Sequence, residues 1–416
     1  MNEVNWAGNY EYRAERLHRP ATLEQLQDIV AAARRIRVLG SRHSFNDIAD
    51  SRELVSLAGL PADVVVDRAA GTVSFGAALT YGELAAALAA EDLALHNLAS
   101  LPHISVAGAV ATATHGSGDA SGNLATAVAA LEIVTSSGEI VTAARGEPDF
   151  DGLVVGLGAT GAVTRVTLDV EPAYEVRQRV FEGLEWEALY EHFDAITAAG
   201  DSVSVFTRWR DTADQAWVKQ RVTGAPEDVR AHLFGASAAT VERHPILGLD
   251  PVNCTRQLGR PGPWSDRLPH FRMGFTPSAG DELQSEYHVP REHGVAAIRA
   301  LRELGDRLRP ALQVCEIRTV AADRLWMSPQ YGRDSVALHF TWQPEPDAVA
   351  RVLADVEAAL AELGARPHWG KLFLARADTI AERYERLPDF AGLVERIDPR
   401  GAFRNGWLEE RVLGGR

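Results

Sequence analysis

Five polar side chains in the last third of the chain are of types that bind small molecules and move protons. Glu316 and Arg318 are two residues apart in a strand-like pattern, His339 and Thr341 repeat that spacing, and Lys371 follows a His-Trp-Gly run. Residues two apart on a strand face the same side of a sheet, about 7 Å apart. Each group alone is compatible with a solvated sheet face, but three such groups favour the polar wall of one small-molecule pocket.

The basic residues of the chain are strongly biased towards arginine. Lys219 and Lys371 are the two lysines among 42 basic residues. Where arginine carries nearly all positive charge, a retained lysine is favoured where a compact charge or a tunable pKa is used, although one of the two can be chance.

Residues 37–46 read as a short strand that breaks at Gly40 into a Gly/Ser turn ending in His43. Backbone N–H groups converge in such a turn and can bind a pyrophosphate without a basic side chain. Taken alone, the segment is equally compatible with a plain turn that carries a solvent-facing histidine.

Small residues dominate a second segment, residues 99–118. Without large side chains, a backbone can approach a planar ligand closely, and the recurring serines and threonines supply hydrogen-bond donors. The alternative is a tightly packed crossing between two layers of structure.

Three other chemistries are disfavoured. Residues 156–161 match G-x-G-x-x-G, but an alternating strand follows them, whereas a dinucleotide fingerprint leads from a strand into a helix. The histidine pairs 103/115 and 288/293 lack a third ligand at zinc-like spacing, so no metal site is expected. No G-x-S-x-G motif of a serine hydrolase occurs.

Composition narrows the class of partner. The net charge of −15 argues against a nucleic-acid partner. No stretch approaches the ~20 apolar residues that span a bilayer, and the polar start of the sequence does not resemble a signal peptide. Two cysteines without metal or redox spacing suit a reducing compartment, so we expect a cytoplasmic protein that binds no membrane.

The elements that must position these residues fall into two regions and a tail. Up to residue 174, helices and strands alternate, with a first helix expected to begin at a Thr22/Gln25 capping box. From 175 to 378 the pattern is of strands separated by helices, such as those predicted over 186–199 and 291–308. Residues 379–416 are too short to fold alone and are expected to pack on the first region.

Together these segments resemble the vanillyl-alcohol-oxidase-type flavoproteins, and within them the alditol (xylitol) oxidases of actinomycetes. The matching motifs are R-x-x-G-x-x-H-S at 37–44, the small-residue segment 99–117, and E-x-R followed by H-W-x-K. The resemblance implies FAD held by an 8α-histidyl bond from His43. Arg42 stands where a glycine is common in the family. The absence of a cysteine from 99–117 implies that there is no second covalent bond.

The resemblance also implies a role for individual residues. Those expected to bind FAD besides His43 are Val38, Leu39, Gly40, Ser41, Arg42, Ser44, Ser100, Ser105, Gly108, Thr112, Thr114, His115 and, through its backbone, Val163. Those expected to bind substrate are Ser100, Glu316, Arg318, Thr341 and Lys371, with Arg318, Lys371 and His339 catalytic.

The implied fold is the two-lobed α+β arrangement of that family. Residues 1–174, completed by 379–416, would form the PCMH-type FAD-binding domain. Residues 175–378 would form a cap domain whose antiparallel sheet lies over the flavin, and the protein would be a monomer.

The implied reaction is oxidation of the primary alcohol of an alditol, such as xylitol or sorbitol, with hydride passing to the flavin and oxygen reduced to peroxide. Arg318 and Lys371 would stabilise the developing negative charge. His339 would be the better candidate to take the hydroxyl proton, with a Lys371 of lowered pKa as the alternative. Glu316, Thr341 and Ser100 would bind further hydroxyls.

Three alternatives stay open. The first is a sugar-1,4-lactone oxidase or dehydrogenase, because the E-x-R and H-W-x-K motifs are shared with those enzymes. The others are a pyridine-nucleotide dehydrogenase and a flavin- or sugar-binding protein without activity.

Overall fold

Helix Leu23–Ala32 begins where the sequence predicts it, at Thr22. In the computed structural model, which describes residues 3–224, 230–274 and 282–414, Thr22 Oγ1 accepts a hydrogen bond from Gln25 N. The Gln25 side chain accepts from the backbone N–H of Ala21 instead of closing the predicted box on Thr22. The cap therefore satisfies one helix donor and fixes the entry of the chain into the helix.

The region before residue 174 contains two small sheets. The first is parallel and consists of Arg16–His18, Glu53–Val55 and Ile36–Val38, in that order. The second is antiparallel, in the order Val64–Asp67, Thr72–Gly76, Ala162–Asp169, Val128–Val134 and Ile140–Ala144. Helices Tyr81–Ala89, Val106–Ala111 and Phe150–Val154 complete this region, with a short pair of strands, Leu93–Ala94 and Glu171–Pro172.

The region from residue 175 onwards is built on one large antiparallel sheet. Its path of described strands is His232–Leu233, Ala236–Ala238, Glu175–Glu185, Thr212–Arg221, Ser202–Thr207, Leu312–Val320, Ser335–Trp342, Leu283–Pro290 and Arg366–Pro367, and Gly262–Pro263 pairs with Glu175–Glu185. The central strand Ser335–Trp342 is buried at every position, as expected of a strand that is covered on both faces.

Helices cover one face of this sheet. Gly294–Glu303 and Pro346–Leu360 pack on each other and on Leu283–Pro290. The helix predicted over 186–199 is two short helices, Trp186–Glu191 and Phe193–Thr197, because His192 leaves helical geometry between them. The helix predicted over 291–308 is likewise divided at Leu304, into Gly294–Glu303 and Gly305–Leu308.

The chain ends in helices Ala377–Arg383, Leu387–Ile397 and Gly406–Leu408, followed by one π-helical turn at Glu409–Leu413. This tail bonds to the first region: Ile36 N donates to Ala402 O at 2.8 Å, and Arg37 Nη1 to Phe403 O at 2.9 Å. Among the described residues, the helices are too short or too polar to cross a bilayer.

Candidate active site

A cavity of about 480 Å³ lies between the first region and the face of the large sheet opposite its helices. Segments from 37–45 and 99–115 form one wall, called here the lobe wall. Strands of the large sheet and the loop before Lys371 form the other, called the sheet wall. Eighteen of the residues predicted for the site line this cavity: Val38, Leu39, Gly40, Ser41, Arg42, His43, Ser44, Ser100, Ser105, Gly108, Thr112, Thr114, His115, Glu316, Arg318, His339, Thr341 and Lys371.

The lobe wall is closely packed around Ser105. Ser41 Oγ accepts a hydrogen bond from Ser105 N at 2.9 Å, which holds the first turn against the start of helix Val106–Ala111. A Cβ atom at Gly40 or at Gly108 would lie 2.7 Å from Ser105 Oγ. Larger residues at these two positions would therefore force the Ser105 side chain to move and would add bulk to the surface that a planar cofactor needs.

His43 projects into the cavity from this turn. Its ring stacks on Trp6 with centroids 5.3 Å apart, and both ring nitrogens are buried without a hydrogen-bond partner of normal geometry in the described residues. Burial lowers the pKa of His43 to about 4, so the ring is neutral at ordinary pH. A buried polar atom without a partner is uncommon in a folded protein, and a neutral imidazole nitrogen can form a covalent bond.

Arg42 adopts the left-handed backbone conformation, with φ of 63°. This explains why glycine suits the position, since a side chain there is strained. Trp6 N donates to Arg42 O at 2.8 Å, and Arg42 Nη1 bonds Glu3 Oε2 at 2.6 Å. The N-terminal residues therefore hold the strained turn in place.

The second segment of the lobe wall brings hydroxyls and one imidazole to the cavity. Thr112 Oγ1 donates to Gly108 O at 3.0 Å and lies 3.2 Å from Thr114 Oγ1. His115 Nε2 lies 3.0 Å from Glu286 Oε1 on the sheet wall. Ser100 also lines the cavity, and its carbonyl accepts from His270 N at 3.2 Å.

The register of the sheet sets the polar row on the opposite wall. His339 is paired with Glu316 on one side and with Glu286 on the other. Cross-strand partners project to the same face of a sheet. The antiparallel register thus places one carboxylate on each side of the His339 imidazole. Arg318 lies two residues after Glu316 and projects to the same face.

Glu286 lies at one end of this row and binds both cations of the site, and it was not predicted from the sequence. Arg318 Nη2 donates to its Oε1 at 2.6 Å, and Lys371 Nζ donates to its Oε2 at 2.6 Å. Burial alone would raise the pKa of Glu286, but the charges of Lys371 and Arg318 hold it well below its usual range. Its strand alternates Gln284, Glu286 and His288, so the period-two pattern was the available signal.

Lys371 and His339 form a second contact inside the same cluster. Lys371 Nζ lies 2.6 Å from His339 Nδ1, and His339 Nε2 lies 3.2 Å from Thr341 Oγ1. Burial and the neighbouring lysine charge lower the pKa of His339 to about 4. Burial also lowers the pKa of Lys371, an effect that Glu286 opposes.

Glu316 is bonded by a different histidine, His270, and shares Arg318 with Glu286. His270 Nε2 lies 2.8 Å from Glu316 Oε1, and Arg318 Nε lies 3.6 Å from the same oxygen. Burial would raise the pKa of Glu316, but Arg318 and His270 bring it below its usual range. The site therefore holds two carboxylates against the cations Arg318 and Lys371, so its formal charges balance.

Val163 is the predicted residue that the structure does not bring to the cavity. It lies on Ala162–Asp169 opposite Ile133, while Leu157 and Gly158 in the preceding turn line the cavity. A backbone contact from Val163 to the cofactor stays a prediction. The turn connects helix Phe150–Val154 to a strand, the reverse of the order in a dinucleotide fingerprint.

Among the described residues, one group has atoms close enough to hold a metal: His115, Glu286 and His288, within 4.8 Å of one another. The carboxylate of that group already binds Arg318 and Lys371. A divalent cation would have to displace or approach both positive charges, which is electrostatically unfavourable. The arrangement is accordingly better described as a charge network than as a metal site.

Two family models match the parts of the chain that contain the lobe wall and most of the sheet wall. A family model described as an FAD binding domain matches residues 14–144, and one described as D-arabinono-1,4-lactone oxidase matches residues 281–411. An alditol oxidase from a Streptomyces species is 48% identical and covers 99% of each chain. An L-gulono-1,4-lactone dehydrogenase of Mycobacterium tuberculosis is 29% identical and covers 99% of this chain and 98% of its own.

Solved structures establish the fold. The crystal structure of cholesterol oxidase from B. sterolicum has a TM-score of 0.79 at 15% identity, covering 98% of this chain and 95% of that chain. The predicted two-lobed α+β fold is thereby confirmed. The lobe wall, with its close backbone and unpartnered imidazole, fits the FAD that such a domain binds.

Proposed function

The chain belongs to the alditol oxidase family of FAD-dependent, vanillyl-alcohol-oxidase-type flavoproteins, and from this premise we propose its reaction. It oxidises the terminal primary alcohol of alditols such as xylitol and sorbitol to the aldose, and oxygen is reduced to hydrogen peroxide. The observation that carries the proposal is the polar row Glu316, His339 and Glu286, which faces the same cavity as His43.

The cofactor is proposed to lie along the lobe wall and to be attached to His43. FAD, when bound, supplies the acceptor for the two electrons of the alcohol. The unpartnered, neutral imidazole of His43 supports an 8α-histidyl bond. Flavin that stays with acid-precipitated protein, and is released from His43→Ala, is the expected result. Free FAD in the supernatant of the unaltered protein would contradict the bond.

The sheet wall is proposed to orient the polyol and to take its proton. Lys371 and His339, 2.6 Å apart, form the acceptor of the hydroxyl proton. Because the pKa of His339 is about 4, the stronger base of the pair is the neutral amine of Lys371. Arg318 stabilises the negative charge on the substrate oxygen, and its own charge is restrained by Glu286.

The remaining polar groups give the site its preference for several hydroxyls. Glu316, Thr341 and Ser100 line the cavity and can each bond one substrate hydroxyl. A polyol presents a hydroxyl on every carbon, whereas a simple alkanol presents one. Binding energy from the remote hydroxyls would position the reacting carbon.

A sugar-1,4-lactone is the second candidate substrate, because the family model matching residues 281–411 is described as a lactone oxidase. The two are separated by measuring peroxide release in air from xylitol, sorbitol and a sugar γ-lactone side by side. Turnover of the polyols with little from the lactone supports the proposal. Peroxide from the lactone alone would overturn it, and anaerobic bleaching of the flavin by polyol without peroxide would indicate another electron acceptor.

A further inference from the structure

A buried lysine lies behind the sheet wall, outside the residues that line the cavity. Lys219, on strand Thr212–Arg221, is 1% exposed. Its Nζ donates to the carbonyl oxygens of Leu268 and Pro269, the latter at 3.1 Å, and lies 3.2 Å from His270 Nδ1. An ammonium group has three N–H donors, so these three acceptors match its full capacity.

His270 connects this lysine to the cavity. Its Nδ1 faces Lys219, and its Nε2 lies 2.8 Å from Glu316 Oε1. A neutral imidazole carries its proton on one nitrogen, and the partner of the other nitrogen decides which. Because Nδ1 accepts from Lys219, Nε2 carries the proton and donates it towards Glu316.

We propose that Lys219 is a positioning residue that keeps Nδ1 of His270 unprotonated, holds the ring as the neutral Nε2–H tautomer, and so orients Glu316 to accept a hydrogen bond from a substrate hydroxyl. The inference rests on the proposed function and names a determinant of its substrate class. Glu316 Oε1 is used by His270, and Oε2 is the atom for the substrate. A carboxylate only accepts hydrogen bonds, so the substrate group opposite must donate one.

This arrangement discriminates between classes of substrate. A hydroxyl at that position completes the hydrogen bonds of a buried carboxylate, whereas a methyl or ether group leaves Oε2 of Glu316 without a donor. Leaving a buried charged group unpaired costs more than the bond itself contributes. Selectivity therefore comes more from weaker binding of a substrate without the hydroxyl than from stronger binding of a substrate that has it.

Lysine suits this position better than the arginine that the chain uses elsewhere. The three acceptors converge on a single nitrogen, whereas the donors of a guanidinium diverge from a planar fork. Burial lowers the pKa of Lys219 to about 7, an effect that the charge of Glu316 opposes. Both lysines among the 42 basic residues are therefore at this site: Lys371 lines the cavity, and Lys219 lies behind it.

The first test reads the tautomer directly and needs no substrate. Nitrogen-15 NMR of histidine-labelled holoenzyme should show His270 protonated at Nε2, with the signal assigned by its loss in His270→Gln. In Lys219→Met the Nδ1 signal should shift because that nitrogen loses its donor, and the ring should take a second proton more readily because the repelling charge of Lys219 is gone. Lys219→Gln, which keeps an N–H donor and serves if Lys219→Met does not fold, should preserve the Nε2–H form. An unchanged His270 signal in Lys219→Met would overturn the proposal.

The second test measures substrate discrimination. Lys219→Met should lower the ratio of kcat/KM for xylitol to that for a simple alkanol by roughly tenfold to a hundredfold, the worth of a charge-assisted hydrogen bond. It should add nothing in a Glu316→Gln background. Gln220→Met is the matched control, because Gln220 neighbours Lys219 on the same strand and donates to Ala199 O at 3.0 Å, away from the site.

The outcomes separate this inference from the proposed function. Equal losses on xylitol and alkanol, or additive losses with Glu316→Gln, would contradict the role of Lys219 even if polyols are the substrates. Absence of polyol turnover by the unaltered enzyme would instead contradict the proposed function, while the tautomer measurement still decides whether Lys219 controls His270.

Discussion

The two walls of the cavity are built on different physical principles. The lobe wall presents backbone, small residues and hydroxyls, with the close approach at Gly40, Ser105 and Gly108 as its main feature. The sheet wall presents buried charges, each paired with a charge of opposite sign. The first wall selects by shape, and the second by a balance of charge in which every member depends on the others.

This difference predicts how substitutions behave. A change on the lobe wall should alter what fits there and leave the titration of the site intact. A change on the sheet wall should disturb protonation, substrate binding and stability together, because it leaves a buried charge uncompensated. Four predictions test the comparison.

The largest effect is expected from Lys371→Met. It removes both the proposed base and one of the two cations on Glu286, so kcat should fall by roughly a hundredfold to ten-thousandfold. In the unaltered enzyme, kcat should rise with pH as the amine of Lys371, whose pKa burial lowers, loses its proton. Lys371→Arg is the matched variant: it keeps the charge but is not deprotonated, so its rate should stay low without that rise. A rising limb retained in Lys371→Arg would transfer the role of base to His339.

Glu286→Gln should have the next largest effect. It leaves Arg318 and Lys371 without their shared counter-charge, which should lower the free energy of unfolding by about 3–5 kcal/mol. Urea unfolding of the holoenzyme measures it, with His43 attachment as a check that the lobe wall is unchanged. Stability equal to that of the unaltered protein would mean that the sheet wall does not depend on charge balance.

Acid should also destabilise the sheet wall. The pKa values of His270 and His339 fall from 6.5 to about 4 on folding, because burial disfavours their charged forms. Below pH 6.5 the unfolded state therefore binds protons that the folded state does not. The contribution of these two histidines to the free energy of unfolding should be fully present above pH 6.5. It should fall towards pH 4 by at most about 1.4 kcal/mol per pH unit for each histidine. Urea unfolding at pH 7 and pH 5 checks this, and His270→Gln should have a shallower dependence.

The smallest effect is expected from Arg42→Gly on the lobe wall. Glycine relieves the strained φ of 63°, but the Glu3 ion pair and some chain stiffness are lost, so the net change should stay within about 1 kcal/mol. Thermal unfolding and flavin content give the readout. A large loss of flavin would show that the Arg42 side chain itself binds the cofactor and that the lobe wall also uses charge.

The sequence predicted those parts of the site that repeat a local pattern. Glu316, Arg318, His339 and Thr341 were found because alternating residues on a strand share a face, and His43 because a Gly/Ser turn ends in it. Most strands follow from the same periodicities, whereas the two-lobed fold is what the family resemblance implied. The structure adds which strands are neighbours, and that register places His339 between two carboxylates.

The sequence could not predict which residues that are far apart in the chain become neighbours in the fold. Glu286 lies in a strand of ordinary alternating pattern, and only its neighbours across the sheet give it a function. His270 follows the irregular stretch 258–269, where no periodicity indicates which way a side chain points. The breaks at His192 and Leu304 were also missed.

Hydrogen bonds join two segments of the site that are far apart in the sequence, so the site is complete only when both segments have been synthesised. Phe45 N donates to Gly370 O at 2.8 Å, and Asn46 Nδ2 donates to Lys371 O at 2.7 Å, across 325 positions of sequence. A ribosome delivers His43 early and Lys371 only near the end of synthesis. The turn that carries His43 gains its last anchors when the loop of Lys371 arrives. A chain that ends before this loop therefore lacks both Lys371 and the last anchors of the turn that carries His43.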